Sequence, residues 1–378
     1  MIMKRIFILL MLLPLAAPAF ETDDAKNRLV MANEVFYKAD TKRDHKFTPE
    51  DGKTWETYRQ LDSNSDGVVT FEEFTAGAEL PYPAWDGEVL RNIVYKRATG
   101  ETLLLDVYSP KVRKYDRAPV FYYTHGGGWS GGHKELTGGE KALFKALSEQ
   151  GFVCVSVMYR LVKMWNPNDP VIMRDCVVDC RDGLRFLKKH EAELGLNMDR
   201  VVVFGSSAGG HIAQLLTFSG ADDFKGDADL APFKVNPVAG ISWYGPSDFR
   251  DIGLFMTEHL DDKFTPDHWA NRITKTDGFK YVDADAKTKQ MVDEVSPVIY
   301  LNKNSAPLLH IHGDQDVVIS PNHAHHLQKR ATECGAPVQV EMVKGAGHGW
   351  WAPDIKPDRK TVEQMTVDFA LNHAGAGD

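Results

Sequence analysis

The residue best placed to do chemistry is a serine enclosed by two glycines. The segment GSSAG at 205–209 matches the pattern G-x-S-x-G, with Ser207 at its centre. An apolar, strand-like run at 201–204 precedes it, and a helix-like run at 208–218 follows it. A sharp strand-to-helix turn of this kind exposes a serine hydroxyl at a helix N-terminus, where the helix dipole favours a developing negative charge. The pattern predicts that a serine in this turn is the nucleophile of an acyl transfer. It favours Ser207 over Ser206, because Ser206 lacks glycines at the matching positions.

A glycine-rich loop supplies the second element that acyl transfer needs. The segment HGGGW at 125–129 follows directly on an apolar, strand-like run. The tetrahedral intermediate of acyl transfer carries an oxyanion, which is stabilised by N–H donors that already point at it. Glycines can turn their amides inward without a Cβ in the way. We expect the donors to be Gly127, Gly128 and Ala208, and we interpret His125 as a structural residue because it precedes the serine.

The segments HGGGW and GSSAGGH (205–211) resemble the hormone-sensitive-lipase-like and the acetylxylan or feruloyl esterase branches of the α/β-hydrolase superfamily. The resemblance covers the chain from about Asn92 to its C-terminus. It implies a mostly parallel central sheet with helices on both faces. It also implies a catalytic triad in the chain order serine, acid, histidine.

Two later segments match the remaining members of that triad. The segment HGDQD at 312–316 resembles the turn that bears the acid in this family; Asp316 aligns with the acid, and Asp314 is its competitor. The segment GAGHGW further on places His348 in a glycine-rich loop, at the position of the family's base. The resemblance therefore implies the triad Ser207, Asp316 and His348, in which the acid orients the imidazole and stabilises the imidazolium.

Two tryptophans adjoin these motifs. Trp129 and Trp350 are candidate substrate-binding residues, since an indole can stack on a sugar or on an aromatic acyl group. Packing in the core or at the rim of the site is the alternative for both residues. The sequence leaves these two interpretations open.

Alternation of strand-like and helix-like runs predicts the fold class. From Asn92 onward, short apolar and β-branched runs alternate with helical stretches, notably 140–150, 175–194 and 322–334. This alternation is typical of an α/β protein whose largely parallel sheet is covered by helices on both faces. The segment 249–293 is polar, aromatic and irregular, and it interrupts the alternation. We interpret it as a lid or a substrate-binding insertion.

A calcium-loop pattern precedes the hydrolase-like region. Residues 62–73 resemble a complete EF-hand loop, and residues 40–51 resemble a degraded copy that lacks an oxygen donor and the turn glycine. The resemblance implies Ca²⁺ ligands at Asp62, Asn64, Asp66, the carbonyl of Val68, Thr70 and Glu73. We expect a structural calcium ion in the second loop, weak or no binding in the first, and pairing of the loops through Phe47 and Val69.

The first residues match an export signal. Lys4 and Arg5 precede an apolar run, Ile6–Leu15, and Ala-Pro-Ala at 17–19 gives a small-x-small cleavage pattern. We expect a signal peptide at 1–19, and hence a secreted or periplasmic protein with no membrane partner after cleavage. The expected domains are the signal peptide 1–19, an EF-hand-like segment 20–80, a linker 81–91 and a catalytic domain 92–378.

Charge and cysteine content narrow the classes of partner. The 378 residues carry a formal net charge of −9, which argues against a nucleic-acid partner because phosphates repel a negative chain. The four cysteines show no zinc-site spacing. Free buried thiols are the favoured interpretation, and a disulfide is the alternative that an exported protein allows.

Ester hydrolysis through an acyl-enzyme is the function that the motifs favour, with acetyl or feruloyl esters of polysaccharides suggested by the family resemblance. This chemistry needs no cofactor. A serine peptidase of the prolyl-oligopeptidase type is one alternative, although such peptidases usually carry a propeller domain that this sequence lacks. A non-catalytic, calcium-dependent binding protein on the hydrolase fold is the other, although such proteins typically lose a triad member.

Overall fold

The computed structural model of the protein describes residues 20–42, 46–78, 84–136, 138–164, 166, 168–255, 266–276, 280–350 and 352–375. The expected signal peptide lies outside these residues. The strands are β1 Lys46–Phe47, β2 Val69–Thr70, β3 Val89–Ala98, β4 Glu101–Tyr108, β5 Ala118–Thr124, β6 Val153–Val157, β7 Leu196–Ser206, β8 Ala239–Trp243, β9 Leu308–Gly313 and β10 Val338–Val343. The helices are α1 Asp24–Ala39, α2 Lys53–Tyr58, α3 Phe71–Gly77, α4 Gly138–Glu149, α5 Met173–Lys189, α6 Glu191–Leu194, α7 Ala208–Phe218, α8 Pro266–Thr274, α9 Ala286–Glu294, α10 Asn322–Cys334 and α11 Arg359–Ala374.

The main sheet has eight strands in the order β10-β9-β8-β7-β5-β6-β4-β3. Every neighbouring pair from β10 to β6 is parallel, whereas β4 runs antiparallel to both β6 and β3. This arrangement confirms the prediction of an α/β fold with a mostly parallel sheet. The carboxyl ends of the parallel strands lie at one edge of the sheet, where α/β proteins place their ligands.

Both faces of the sheet are buried, which explains why its strands read as continuous apolar runs rather than as alternating ones. On β5, Val120 and Tyr122 enter the core formed with α5 and α7, whereas Phe121 and Tyr123 enter the core formed with α4 and α11. Successive side chains of a strand point to opposite faces. β5 and its neighbour β7 therefore lie between the two cores. The glycine loop follows the carboxyl end of β5, and Ser207 follows that of β7.

The N-terminal segment has a small core of its own, built from α1, α3 and the two short strands. β1 pairs antiparallel with β2, with Phe47 opposite Val69, the two positions that the loop pattern indicated for pairing. Phe36 of α1 stacks on Phe47 at 4.5 Å, and Phe74 of α3 packs edge-on against both rings.

The boundary between the N-terminal segment and the catalytic domain differs from the expected one. β3 begins at Val89, inside the predicted linker 81–91, because its first residues already pair with β4. The chain just before α1 also extends the sheet, since Thr22 pairs with Ile93 of β3 and Val94 N–H donates to the carbonyl of Glu21 at 2.8 Å. The segment 20–80 is therefore joined to the sheet edge rather than tethered by a linker alone.

The insertion at 249–293 is partly helical. Its described residues include α8 and most of α9, while 256–265 and 277–279 lie outside them. Trp269 and Ile273 of α8 and Val292 of α9 are buried against the main core. Within the described part of the chain, no helix combines the length and the apolar character needed to cross a bilayer.

Candidate active site

Ser207 occupies a strained turn between β7 and α7. Its backbone has φ 54° and ψ −120°, outside the regions that side-chain-bearing residues normally adopt. Two hydrogen bonds hold it there: Ser207 N–H donates to the carbonyl of Trp243 at 2.8 Å, and His211 N–H donates to the carbonyl of Ser207 at 3.0 Å. The strain presents the hydroxyl at the start of α7.

Two glycines make this turn sterically feasible. A Cβ on Gly205 would lie 2.2 Å from the carbonyl oxygen of Gly209, and a Cβ on Gly209 would lie 2.0 Å from that of Thr124. The hydroxyl of Thr124 also donates to the Gly209 carbonyl at 2.9 Å. The motif therefore needs glycine at both positions because α7 passes against the carboxyl end of β5.

Three side chains that are distant in the sequence meet at the carboxyl edge of the sheet. His348, in the loop after β10, lies with Nε2 3.0 Å from Ser207 Oγ and with Nδ1 2.7 Å from Asp316 Oδ2. Asp316 follows β9. Its competitor Asp314 instead accepts the N–H of Gly345 at 2.7 Å. The structure thus brings Ser207, His348 and Asp316 together and leaves Asp314 in a structural role.

Asp316 is held as a carboxylate. Oδ1 accepts the N–H groups of Val318 and Ile319 at 2.9 Å each, and Oδ2 lies 3.4 Å from Nε2 of His312 in addition to its bond with His348. Burial raises the pKa of Asp316, but the hydrogen bonds from His312 and His348 lower it by more, so the pKa stays well below its ordinary range. An ionised acid at this position favours the Nδ1–H tautomer of His348.

Two buried histidines, His312 and His310, support Asp316. The sequence patterns did not assign this supporting role. His312 Nε2 donates to the carbonyl of Ile319 at 2.8 Å, and its Nδ1 lies 3.1 Å from Nε2 of His310. Burial lowers the pKa of His310 well below its usual value, so that ring is neutral. The available signal was the spacing: a histidine four residues before the acid can turn back onto it.

The glycine loop lies directly beside Ser207. A Cβ on Gly126 would lie 3.5 Å from the Cβ of Ser207. His125 Nδ1 donates to the carbonyl of Gly126 at 2.8 Å, and its ring stacks on Tyr159 with 4.1 Å between centroids. In a trans peptide the N–H points away from the preceding carbonyl, so this bond also fixes the direction of the Gly127 N–H. His125 is therefore a structural residue, as the sequence indicated.

The next peptide is oriented in the same way. The carbonyl of Gly127 accepts the N–H groups of Ser130 and Gly131 at 3.1 and 3.0 Å, which turns the Gly128 N–H to the opposite side. Ala208 begins α7, where the first amides have no partner within the helix. Among the described residues no acceptor takes the N–H of Gly127, Gly128 or Ala208. The three expected donors are thus available to an oxyanion.

The expectation that Trp129 and Trp350 bind substrate is corrected by their burial. Trp129 is 1% exposed and Trp350 is 3% exposed. The Trp129 ring packs edge-on against His211 and Trp269, and the Trp350 ring packs against Tyr244. Neither indole presents a face on which a sugar could stack. Trp129 belongs to the core formed with α5 and α7, and Trp350 belongs to the core formed with α4 and α11.

The EF-hand-like loop places its predicted ligands on one tight turn. Gly67 has φ 81°, and its N–H donates to Asp62 Oδ2 at 2.9 Å. Asp66 N–H donates to Asn64 Oδ1 at 2.9 Å, and Val68 N–H donates to Asp66 Oδ1 at 2.9 Å. The side-chain oxygens of this loop are hard donors of the kind that Ca²⁺ prefers.

At the twelfth position of that loop, the carboxylate oxygens of Glu73 accept hydrogen bonds from residues of the loop itself. Glu73 Oε1 accepts from Ser63 N–H and hydroxyl at 3.0 and 2.8 Å, and Oε2 accepts from Thr70 N–H and hydroxyl at 3.0 Å each. Hydrogen bonds from Thr70 and Ser63 lower the pKa of Glu73 to about 2. Within the described ranges no three His, Cys, Asp or Glu side chains converge as a metal cluster. The donor chemistry fits Ca²⁺, whereas a bidentate Glu73 would have to exchange these partners for the ion.

Comparison with known proteins places the hydrolase region in a family. The BD-FAE family model matches residues 105–331. Esterase LipC of Mycobacterium tuberculosis is 26% identical over 252 residues, which are 65% of this chain and 57% of LipC. The probable carboxylic ester hydrolase LipM of the same organism is 26% identical over 282 residues, 72% of this chain and 60% of LipM. The chain therefore spans less than two thirds of the length of these relatives.

Solved structures agree on the fold. A truncated carbohydrate esterase from gut microbiota superposes with a TM-score of 0.62 at 19% identity, over 78% of this chain and all of that one. The esterase Est2 of Thermogutta terrifontis gives a TM-score of 0.58 at 21% identity, over 77% of this chain and 94% of that one. These likenesses support an α/β-hydrolase fold. Because the family model covers more than half of its 378 residues, this chain belongs to the BD-FAE family.

Proposed function

We propose that this protein hydrolyses carboxylic esters with Ser207 as its nucleophile. The observation that carries the proposal is the position of His348, whose two ring nitrogens lie 3.0 Å from Ser207 Oγ and 2.7 Å from Asp316 Oδ2. An imidazole held in this way can accept the hydroxyl proton at Nε2 while its Nδ1–H stays on the carboxylate.

The reaction follows from these contacts. Ser207 Oγ attacks the ester carbonyl as its proton moves to His348, and the carbonyl oxygen becomes an oxyanion facing the N–H groups of Gly127, Gly128 and Ala208. The tetrahedral intermediate collapses, the alkoxide leaves with the proton from His348, and the acyl group remains on Ser207. Water then attacks the acyl-enzyme by the same steps, with His348 as base.

The two alternative functions are less well supported. A non-catalytic binding protein has no need of a strained serine and an ionised acid joined through one imidazole. A peptidase of the prolyl-oligopeptidase type would use the same triad, but the named relatives are esterases.

The proposed substrates are acetyl or feruloyl esters of polysaccharides. The membership in the BD-FAE family and the structural likeness to a carbohydrate esterase support this choice. The export signal predicted at 1–19 supports a secreted or periplasmic location, where such polymers are encountered.

Turnover of chromogenic esters tests the proposal. Wild type should hydrolyse at least one of p-nitrophenyl acetate, p-nitrophenyl butyrate and methyl ferulate, and Ser207→Ala should lose activity by about 10³-fold or more because both the nucleophile and the acyl-enzyme are removed. Ser206→Ala is the matched control, since it changes the neighbouring hydroxyl and should keep most of the activity. Equal rates for wild type and Ser207→Ala would refute the assignment.

We also propose that the loop 62–73 holds a structural Ca²⁺ ion. The ligands would be Asp62, Asn64, Asp66, the Val68 carbonyl, Thr70 and Glu73. The tight turn at Gly67 and the pairing of β1 with β2 support the assignment. The ion would stabilise the N-terminal segment and would take no part in ester hydrolysis.

A calcium titration of the full chain tests this second proposal. A ligand that binds only the folded state adds about 2.7 kcal/mol to the unfolding free energy when its free concentration is a hundred times its Kd. Calcium should therefore raise the melting temperature of wild type and of the control Glu72→Gln, but not that of Glu73→Gln. A shift of the same size in Glu73→Gln would exclude the assigned ligand.

A further inference from the structure

The insertion contacts the oxyanion loop through a buried arginine. Arg272 of α8 donates from Nε to the carbonyl of Gly128 at 2.6 Å, although the two residues are 144 positions apart. The guanidinium lies against Gly128, since a Cβ on this glycine would lie 3.7 Å from Nη2 of Arg272. The arginine is 5% exposed, so this is an interior contact and not a surface pair.

A tryptophan one turn earlier on α8 contacts the next residue of the same loop. Trp269 packs edge-on against Trp129, with 5.6 Å between ring centroids and an interplanar angle of 87°. The guanidinium of Arg272 lies 5.2 Å from the centre of the Trp269 ring. Trp129 has φ 58°, a left-handed conformation that an aromatic residue adopts only where its surroundings impose it. α8 therefore holds two consecutive loop residues with two side chains of one helical face.

The remaining loop carbonyls are held from within the hydrolase core. Gly126 is bound by His125, Gly127 by the amides that follow it, and the Trp129 carbonyl by the N–H of Val162 at 2.8 Å. The Gly128 carbonyl receives the charge-assisted bond from the insertion, together with a longer one from the Ser130 hydroxyl at 3.3 Å. The insertion thus holds the Gly128–Trp129 peptide, which directly follows the two oxyanion donors expected in the loop.

We propose that Arg272 and Trp269 are positioning residues for the oxyanion hole, so that the insertion helps to build the catalytic site rather than only covering it. The inference rests on the proposed ester hydrolysis. By fixing the Gly128 carbonyl, Arg272 fixes the orientation of the 128–129 peptide. The backbone torsions of Gly128 relate this peptide to the 127–128 peptide, which carries the Gly128 N–H.

A positioning role of this kind predicts a particular kinetic signature. The loop donors bind the oxyanion, which exists in the tetrahedral intermediate and not in the ground-state ester. Disturbing their aim should lower kcat and leave KM nearly unchanged, whereas general loosening of the insertion should lower stability or raise KM. Because the bond to the Gly128 carbonyl is charge-assisted, a neutral residue of similar length should not replace Arg272 fully.

Steady-state kinetics of Arg272→Met and Arg272→Lys on the best p-nitrophenyl ester tests the inference. Removal of a direct oxyanion donor costs roughly 10²–10³ in kcat, so loss of a supporting contact in Arg272→Met should lower kcat by about ten- to a hundredfold with KM within about twofold. Arg272→Lys keeps the charge and should be intermediate. Trp269→Phe should lower kcat less than Arg272→Met does.

The matched control is Arg174→Met. Arg174 ties α5 to α9 of the insertion by a 2.8 Å bond to Glu294 and makes no contact with the glycine loop, so its loss should leave kcat within about twofold of wild type. Inhibition by an alkyl trifluoromethyl ketone adds an independent readout, because its serine adduct carries an oxyanion. The inhibition constant should rise in Arg272→Met by the factor by which kcat/KM falls.

The outcomes are separable. If Arg272→Met keeps wild-type kcat and wild-type inhibition, or if Arg174→Met loses as much kcat, the positioning role is wrong while the ester hydrolysis stands. If Arg272→Met does not fold, Arg272→Lys decides, with wild-type kcat overturning the inference. If Ser207→Ala is as active as wild type, the proposed function itself fails.

Discussion

At the scale of single residues, the two aspartates of the HGDQD turn show how position decides role. Asp316 and Asp314 lie two residues apart after the same strand, yet Asp316 binds the His348 ring and Asp314 binds the backbone of Gly345. The sequence favoured Asp316 by resemblance and kept Asp314 open. The hydrogen bonds supply the physical reason for the choice.

The pair gives a prediction with a built-in control. Asp316→Asn should lower kcat by about 10⁴-fold, because an amide no longer holds the Nδ1–H tautomer or stabilises the imidazolium. Asp314→Asn should keep kcat within about threefold, since it affects only the hydrogen bond from the Gly345 N–H, which an amide oxygen can still accept. Initial rates on a chromogenic ester check both. Comparable losses in the two variants would contradict the assignment of the acid.

At the residue scale, local patterns and the family resemblance pointed to Ser207 and His348. Ser207 and His348 each lie in a short glycine-bearing pattern, and the structure brings the two side chains together. The sequence left the roles of Trp129 and Trp350 open between substrate binding and packing, because adjacency to a motif does not say which way a side chain points. Their burial decides for packing. The sequence patterns also missed the support that His312 gives to Asp316, since that contact needs the turn after β9.

At the scale of elements, the junction of β7 and α7 is a packing constraint as well as a catalytic one. α7 approaches β5 so closely that a Cβ on Gly209 would lie 2.0 Å from the Thr124 carbonyl and 2.6 Å from that of His125. Both obstacles are backbone atoms and cannot rotate away. The first turn of α7 would have to move, and Ala208 N–H would move with it.

We therefore expect Gly209→Ala to lower both stability and activity. Overpacking a core typically costs about 1–3 kcal/mol, and a backbone obstacle places this variant at the upper end or beyond. The control is Gly220→Ala, just after α7, where the nearest atom to a new Cβ is the Asp223 carboxylate at 3.4 Å. Denaturant unfolding and ester turnover measure the two effects. Wild-type stability and activity of Gly209→Ala would show that the turn between β7 and α7 can accommodate a Cβ.

Strand and helix alternation predicted the elements of the hydrolase region because each buried strand and each amphipathic helix carries its own periodicity. The sheet order was not available from the same source. Nor was the pairing of Thr22 with Ile93, which joins residues far apart in sequence. Long-range pairing depends on which edge of the sheet remains open, and local patterns do not carry that information.

At the scale of the whole molecule, buried neutral histidines couple stability to pH. His211 of α7 is fully buried and donates from Nε2 to the carbonyl of Val295 at 2.7 Å. Burial lowers its pKa from 6.5 to about 4. Between these values the unfolded chain binds a proton that the folded chain does not, so the unfolding free energy falls as the pH is lowered from 6.5 to 4.

Replacing this ring should flatten the pH dependence. One proton of difference corresponds to about 1.4 kcal/mol per pH unit. His211→Gln can still donate to Val295 but does not titrate, so its unfolding free energy should vary less steeply with pH between 6.5 and 4. His373→Gln, at the exposed end of α11, is the control for the same exchange outside the core. Urea unfolding at a series of pH values compares the three proteins; identical slopes for His211→Gln and wild type would contradict the prediction.

The N-terminal segment is integrated into the molecule more closely than the sequence predicted. Besides the pairing at β3, Asn27 of α1 donates to Glu135 at 3.1 Å, and Glu135 binds the fully buried Lys134 at 2.7 Å. Lys134 also lies 2.8 Å from Asp106 of β4. These contacts join α1 to the loop that continues from the oxyanion glycines, in addition to the pairing of Thr22 with β3.

The central claim is that the hydroxyl of Ser207 becomes acylated, and covalent labelling measures it most directly. Treatment with a fluorophosphonate, followed by intact-mass and peptide mass spectrometry, should show one label per chain, located on Ser207 and absent from Ser207→Ala, with loss of ester turnover in proportion to labelling. A label on Ser206 or elsewhere, or full ester turnover in protein whose Ser207 is completely labelled, would contradict the account.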